Sequence, residues 1–402
     1  MEVVEGLFAD GLTLIKGPPG SGKTTLAAWA ASKYKNAAWF TFYENESRLL
    51  RFLSSIGIEP PRHIFDMLSV AQHHKEIVEA ILKQIKEVKP DFIVIDGLNA
   101  LTVEGERELV HQLFYHLLSS LMPVVLIREG VETTPTDYIA DNVILLDYKA
   151  SERGVVRHLI VLKSRGKSME PAVFRLVLAK GGPRLITTPR GPKKISGERL
   201  TTGAPELDKE LNGGVIAGSY VVVVGPPDGL ASKLMVITAS TLASNGKKVL
   251  YHHHKQIPTF VKFAESLGVK IEHPNLIWYY HPVDEHRDLA WWYRSAEMVN
   301  EIGVDVHFAD QYEQVVAVAG VELIAEASQI YQSTLKRDVT TVLVVNSLET
   351  WRKISSLIGS IPDYVFLFKH GVLKAYAPER TEPLKFRYSL RGRRVVFEKL
   401  PS

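Results

Sequence analysis

Cysteine is absent from all 402 residues, which excludes disulfides and thiolate metal sites. A reducing cytoplasm fits that absence, and so does growth at high temperature. No apolar run approaches membrane-spanning length, and the N-terminus carries no signal-peptide pattern, so the chain reads as cytoplasmic. A strong charge of either sign is also missing: 48 Lys and Arg against 45 Asp and Glu leave +3. That balance by itself calls for neither nucleic acid nor an anionic membrane. The remaining composition, 46% hydrophobic and 23% charged, is that of a soluble globular protein. The length exceeds one ordinary core, so two domains are expected.

The first informative stretch is Gly17-Pro18-Pro19-Gly20-Ser21-Gly22-Lys23-Thr24-Thr25. It satisfies the phosphate-loop pattern at every required position. The apolar run Leu12 to Ile15 before it reads as a strand, and Leu26 to Ala31 after it reads as a helix. In such a loop the glycines let backbone N–H groups turn inward around phosphate oxygens. Lys23 would reach the β- and γ-phosphates of a nucleoside triphosphate, and the Thr24 hydroxyl would hold Mg²⁺.

The chain repeats itself. Gly17-Pro18-Pro19 recurs as Gly225-Pro226-Pro227, an offset of 208 residues. Arg51 to Gly57 matches Lys262 to Gly268 at 211, and Glu170 to Arg175 matches Glu382 to Arg387 at 212. This is a tandem duplication. We expect domains at 1–187 and 200–402, joined by a Pro-, Gly- and Lys-rich linker at 188–199. Lys193-Lys194 in it reads as a solvated face. Short β-branched strands alternate with helices in the first half. That predicts an α/β fold with a mainly parallel sheet covered on both faces. Closely spaced later strands, including His158–Leu162, predict an antiparallel extension.

Phe92-Ile93-Val94-Ile95-Asp96 is an apolar strand ending in a carboxylate, which suits Mg²⁺ opposite Thr24. Hydrolysis also needs a group that orients water. Glu44, directly after the second strand, is the first candidate and Glu46 the second. A helix-start carboxylate near Ser47 is an equal alternative at this stage. Lys163-Ser164-Arg165-Gly166-Lys167 follows a strand and could stabilise charge on a γ-phosphate, or be a solvated basic turn.

These residues resemble the KaiC-like branch of the RecA-superfamily ATPases, of the archaeal two-domain type with a degenerate second phosphate loop. The second half carries Thr202-Gly203-Ala204-Pro205-Glu206-Leu207-Asp208 and Leu211-Asn212-Gly213-Gly214 before its altered loop. The first half adds Phe42-Tyr43-Glu44, Ile93 to Asp96 and Lys163-Ser164-Arg165-Gly166. The resemblance implies tandem RecA-like domains and a hexameric ring with ATP between subunits. It implies that Lys163 and Arg165 reach a neighbour's γ-phosphate. The family usually has two adjacent glutamates after the second strand; Tyr43 takes the first position here, leaving Glu44.

The second copy has lost the chemistry. At the offset, Gly20, Gly22, Lys23 and Thr24 become Asp228, Leu230, Ala231 and Ser232. Glu44 becomes Lys255, while Lys163 and Arg165 become Ala375 and Ala377. Asp228 puts a carboxylate where phosphate belongs. Asp310 survives at the position of Asp96. The second half is therefore expected to be catalytically inactive and to serve ring assembly or a protein partner. Tyr251-His252-His253-His254 alternates faces, which disfavours a shared metal ion. Trp291-Trp292-Tyr293 reads mainly as core, and His111 and His116 read as ordinary helix residues.

Three functions compete: a regulatory ATPase ring, a RecA- or RadA-like DNA-binding ATPase, and an ATP-binding scaffold without turnover. The loops Asn99 to Glu106 and Arg128 to Asp137 are acid-leaning, which places nucleic acid second. Trp351-Arg352-Lys353 is the one DNA-like feature, and Gly392-Arg393-Arg394 reads as a turn.

Overall fold

The computed structural model describes residues 2–67, 74–100, 109–151, 154–166, 172–186, 197–335, 338–356, 362–392 and 394–401. The loop at 101–108, Lys167, most of the expected linker with Lys193 and Lys194, and Arg393 lie outside the described residues. The chain forms two compact units, the first ending near residue 187. No helix among the described residues is long and apolar enough to cross a membrane.

The first unit is built on one sheet of nine strands. They are β1 Leu12–Gly17, β2 Ala37–Thr41, β3 His63–Asp66, β4 Phe92–Asp96, β5 Val124–Glu129, β6 Asn142–Ser151, β7 Gly154–Ser164, β8 Val173–Ala179 and β9 Gly182–Ile186. Their order is β3-β2-β4-β5-β1-β6-β7-β8-β9. The strands from β3 to β6 run parallel, and β7, β8 and β9 pair antiparallel. The expected mainly parallel sheet with an antiparallel extension is what forms.

The pleat explains the continuous apolar runs. Along β4, Phe92 and Val94 face one core with Trp29, Trp39 and Leu53; Ile93 and Ile95 face the other with Phe40, Ile81 and Phe114. Each such buried side chain contributes about 1.5–3 kcal/mol. The helix Lys23–Ala31 is rich in alanine because it packs closely on the sheet, and all its residues except Thr24 are buried. The helix Glu46–Ile56 starts where Asn45 Oδ1 accepts from the Arg48 amide at 2.9 Å and ends at Gly57, φ +71°. The N-terminal segment packs into this core through Val4, Leu7 and Phe8.

Two elements differ from expectation in extent or winding. The strand expected at His158–Leu162 extends over Gly154–Ser164. The helix expected from Glu106 is described over Leu109–Leu118 and is wound as a π-helix. The wider winding brings His111 and His116, five apart, to 3.2 Å between their Nε2 atoms.

The second unit opens with a two-stranded ribbon, β10 Arg199–Leu200 and β11 Val215–Ile216. Its sheet comprises β12 Tyr220–Val224, β13 Val249–His253, β14 Leu276–Tyr280, β15 Val306–Ala309, β16 Thr340–Val345, β17 Tyr364–Lys369, β18 Val372–Tyr376, β19 Leu384–Arg391 and β20 Arg394–Lys399. The order β14-β13-β15-β16-β12-β17-β18-β19-β20 repeats the first sheet strand for strand. The duplication seen in sequence is thus a duplication of topology. Trp291 and Trp292 on the helix Leu289–Ile302 are buried, as core packing required.

Candidate functional site

Parallel strands place their carboxyl ends along one edge, and ligands of such sheets lie there. In the first unit that edge carries the end of β1, β2, β4 and β5 together. A cavity of about 460 Å³ opens on it, lined by Gly20, Gly22, Lys23, Thr24, Thr25, Tyr43, Glu44 and Asp96, with Arg48 and Glu129 beside them.

The loop's backbone is specific to glycine. Gly17 has φ +150°, and a Cβ there would lie 2.0 Å from the Leu146 carbonyl oxygen. Gly22, φ +103°, precedes the helix Lys23–Ala31 and packs against Leu178 of β8. The Ser21 amide donates to the Pro18 carbonyl at 3.3 Å, closing the turn over Pro19 and Gly20. The Ser21 hydroxyl is buried with no partner, a free polar group inside a loop built to surround oxygens. Lys23 Nζ donates to the Gly17 and Pro18 carbonyls at 2.9 Å each. Burial lowers its pKa, and the charges of Glu129 and Asp96 oppose that.

Asp96 is pushed up to about 7, first by burial and then by the charge of Glu44. Lys23 pulls it down and Glu129 adds to the rise. A carboxylate that burial and two like charges make costly to ionise, in a cavity that Thr24 also lines, is suited to a divalent cation. Glu44 follows β2 in a tight turn: Thr41 Oγ1 accepts from its amide at 3.2 Å and donates to its carbonyl at 2.8 Å. That turn aims Glu44 at the cavity. Glu46 starts the next helix and does not line it.

Lys163 and Arg165 are elsewhere. Arg165 pairs with Asp141 at 3.2 Å and donates to the Tyr115 hydroxyl at 2.8 Å. Asp141 also accepts from the amide of Leu12, the first residue of β1. Arg165 therefore sits where β1 begins, and the phosphate loop starts where β1 ends, roughly 17 Å along the strand. Lys163 Nζ donates to the carbonyls of Asp137 and Tyr138, at 3.2 and 2.9 Å. Neither cation lines the cavity of its own unit.

Sequence reasoning did not single out Glu129 or Arg48. Glu129 had a weak signal: it is the carboxylate that closes β5, but Arg128 separates it from the apolar run Val124–Ile127, whereas Asp96 follows Ile95 directly. Arg48 had none, since its place in the cavity depends on how the Glu46–Ile56 helix is set.

The second unit shows what the substitutions do. Ser232 Oγ donates to Asp310 Oδ1 at 2.6 Å, Asn346 Nδ2 donates to Ser232 Oγ at 2.7 Å, and Tyr251 OH donates to Asp310 Oδ2 at 3.0 Å. Asp228 accepts from the Leu230 amide at 2.9 Å, so the helix start is capped by the loop's own carboxylate. Lys255, aligned with Glu44, lies over the Phe263 ring. Ala375 and Ala377 are buried. His252 and His253 face opposite ways: His253 stacks on Phe260, and His252 meets His307 and Trp291. Among the described residues no three such side chains are grouped to hold a metal ion.

Comparison with known proteins agrees with this geometry. The model of the family described as ATPase: KaiC matches residues 2–188. The circadian clock protein KaiC2 of Synechocystis is 25% identical over 309 residues, covering 67% of this chain and 54% of that protein. The circadian clock oscillator protein KaiC of Synechococcus elongatus is 25% identical over 50% of this chain and 42% of its own length. The DNA repair protein RadA of Aquifex aeolicus is 34% identical over 114 residues, 28% of this chain and 24% of RadA. The matched stretches thus span from about a quarter to about half of these relatives' lengths. Residues 2–188 belong to the KaiC ATPase family, and similarity to KaiC proteins extends over about two thirds of the chain.

Proposed function

We propose that this chain is a regulatory ATPase with one hydrolytic site per chain, in the first unit, completed by a second copy. The observation that carries this reading is the contrast between the two strand-end pairs. Thr24 and Asp96 both face a cavity that also holds Lys23, whereas Ser232 and Asp310 are bonded to each other in a unit with alanine at the lysine position.

In this reading the amides of Gly17 to Gly22 receive phosphate oxygens, and Lys23 leaves its loop carbonyls for the β- and γ-phosphates. Thr24 and Asp96 hold Mg²⁺, which supplies positive charge to the phosphates when bound. Glu44 accepts a hydrogen bond from the attacking water and orients it. Lys163 and Arg165, at the opposite sheet edge from their own loop, approach the γ-phosphate of an adjacent copy. Tyr138 and Leu162 are exposed close to them, which suits a surface that another copy covers. A head-to-tail contact of this kind closes into a ring when its rotation permits, and we take that ring to be hexameric. The second unit keeps the fold for assembly or for a protein partner. The test is native mass spectrometry with and without ATP·Mg²⁺, on wild type and Lys23→Ala. One ATP per chain, lost with Lys23, supports the reading; two ATP per chain sinks it.

A DNA-binding ATPase is the second reading, favoured by the RadA likeness and by the run Trp351-Arg352-Lys353. Glu129 ends β5 and Glu132 stands in the loop after it, where a DNA-binding protein needs cations. Salt-dependent binding of single-stranded DNA would revive it.

A further inference from the structure

The cavity that Tyr43 and Glu44 line after β2 receives another carboxylate from a different strand. Glu129 is the last residue of β5, the strand between β4 and β1. It is in register with Gly17, the first residue of the phosphate loop. It lines the cavity with Lys23, Thr24, Tyr43, Glu44 and Asp96.

Its backbone is held on both sides. The Asn99 side chain accepts from the Glu129 amide at 2.8 Å and donates to the Glu129 carbonyl at 3.0 Å. β4 has already ended at Asp96, so this amide stands in for the strand residue that would otherwise pair there. On the other side Gly130 donates its N–H to the Gly17 carbonyl at 3.1 Å. Strand ends fray unless tied, and this one is tied twice at the residue whose side chain enters the cavity.

We propose that Glu129 is the second water-holding carboxylate of the hydrolytic site, and that Asn99 is the residue that positions it. The inference rests on the reading of the first unit as an ATPase site. The water accepts its orientation from Glu44 and Glu129 together. Its oxygen bonds to the γ-phosphorus as one proton passes to a carboxylate of the pair. The bond from that phosphorus to the bridging oxygen breaks, releasing ADP and phosphate.

The experiment compares wild type, E129Q, E129D, N99A and E44Q for turnover at saturating ATP·Mg²⁺, ATP affinity and melting temperature. E129Q should lower kcat tenfold or more with ATP affinity within about threefold. E129D should recover part of that loss. N99A should lower kcat less than E129Q and add nothing to it in the double variant, because it acts through Glu129. Wild-type kcat in E129Q, or a loss confined to ATP affinity, overturns the inference. Should E129Q melt early, E129D and N99A decide: unchanged kcat in both overturns it, and reduced kcat in both supports it. Absence of hydrolysis in wild type, matched by Lys23→Ala, overturns the underlying reading instead.

Discussion

Ser232 Oγ donates to Asp310 Oδ1 at 2.6 Å, whereas the corresponding Thr24 and Asp96 both face the cavity that Lys23 lines. The same pair of positions is a closed hydrogen bond in one unit and two walls of a cavity in the other. With Asn346 and Tyr251 also bonded into the network, both oxygens of Asp310 are taken. Breaking this network to admit a hydrated cation would strand buried polar groups at about 1–3 kcal/mol each. Ser232→Ala should therefore leave nucleotide stoichiometry unchanged while lowering the melting temperature, measured by calorimetry. A fall in bound ATP would contradict the assignment of the sole site to the first unit.

Glu44→Gln should lower turnover about 10²- to 10⁴-fold and keep ATP binding. Steady-state phosphate release and equilibrium dialysis separate the two. Equal loss of both would make Glu44 a binding residue.

Arg165→Ala and Lys23→Ala should each be inactive alone. Mixed at assembly, they should regain activity, because a chain lacking Lys23 still lends Arg165 to a neighbour whose loop is intact. The regain is expected because Arg165 lies at the far end of β1 from its own phosphate loop. A mixture as dead as its components would show that Arg165 does not act in another copy.

Lys16 is buried and pairs with Asp137, with the Glu132 carbonyl as a further acceptor at 3.2 Å. Asp137→Ala leaves that ammonium buried with one neutral partner, at a cost of about 3–5 kcal/mol. Lys16→Met combined with Asp137→Ala should be milder than Asp137→Ala alone. Urea denaturation of the three variants orders them.

Acid should loosen the second unit before the first. Burial holds His253 and His281 at about 4 and His286 and His307 at about 3, and pushes His252 well below its ordinary value. A folded-state pKa below the unfolded value of 6.5 gives stability that is full above 6.5 and lost as pH falls toward the folded pKa. Each such histidine costs about 1.4 kcal/mol per pH unit in that window. Asp310 acts in the opposite sense: burial raises it from 3.8 to about 6, so its contribution disappears as pH rises through that interval. Five groups outweigh one. Hydrogen exchange on the whole chain at pH 7 and pH 5 should show second-unit amides losing protection; uniform loss across both units would contradict this.

Much of the architecture was legible in one dimension because it depends on local rules. An apolar run without alternation means a strand buried on both faces, and β4 obeys this through Phe92 to Ile95. A glycine-rich turn between strand and helix needs the positive φ angles that Gly17 and Gly22 adopt. The repeat offsets carried over into two sheets with the same strand order. Sequence ranked Glu44 above Glu46 only because it follows the strand more directly, and both lie within a few residues of β2. The Thr41 turn separates them.

What depended on distant partners was not legible. Glu129 is thirty positions from Asn99, and nothing along the chain says that an amide side chain will pin its backbone beside the phosphate loop. Lys163 and Arg165 were recognisable as cations after a strand, but their edge of the sheet follows from β7 running back past β6. Asp228 was visible as a carboxylate in a phosphate loop, and its capping of Leu230 needed the folded backbone. The loop Gly17–Thr25, the strand-end Asp96 and the duplication were set by residue type and spacing, since each is satisfied within a few neighbours. The side of the sheet on which each charge stands, and which strand-end carboxylates share a cavity, were set by strand order and register, which bring residues far apart in the chain within reach of one another.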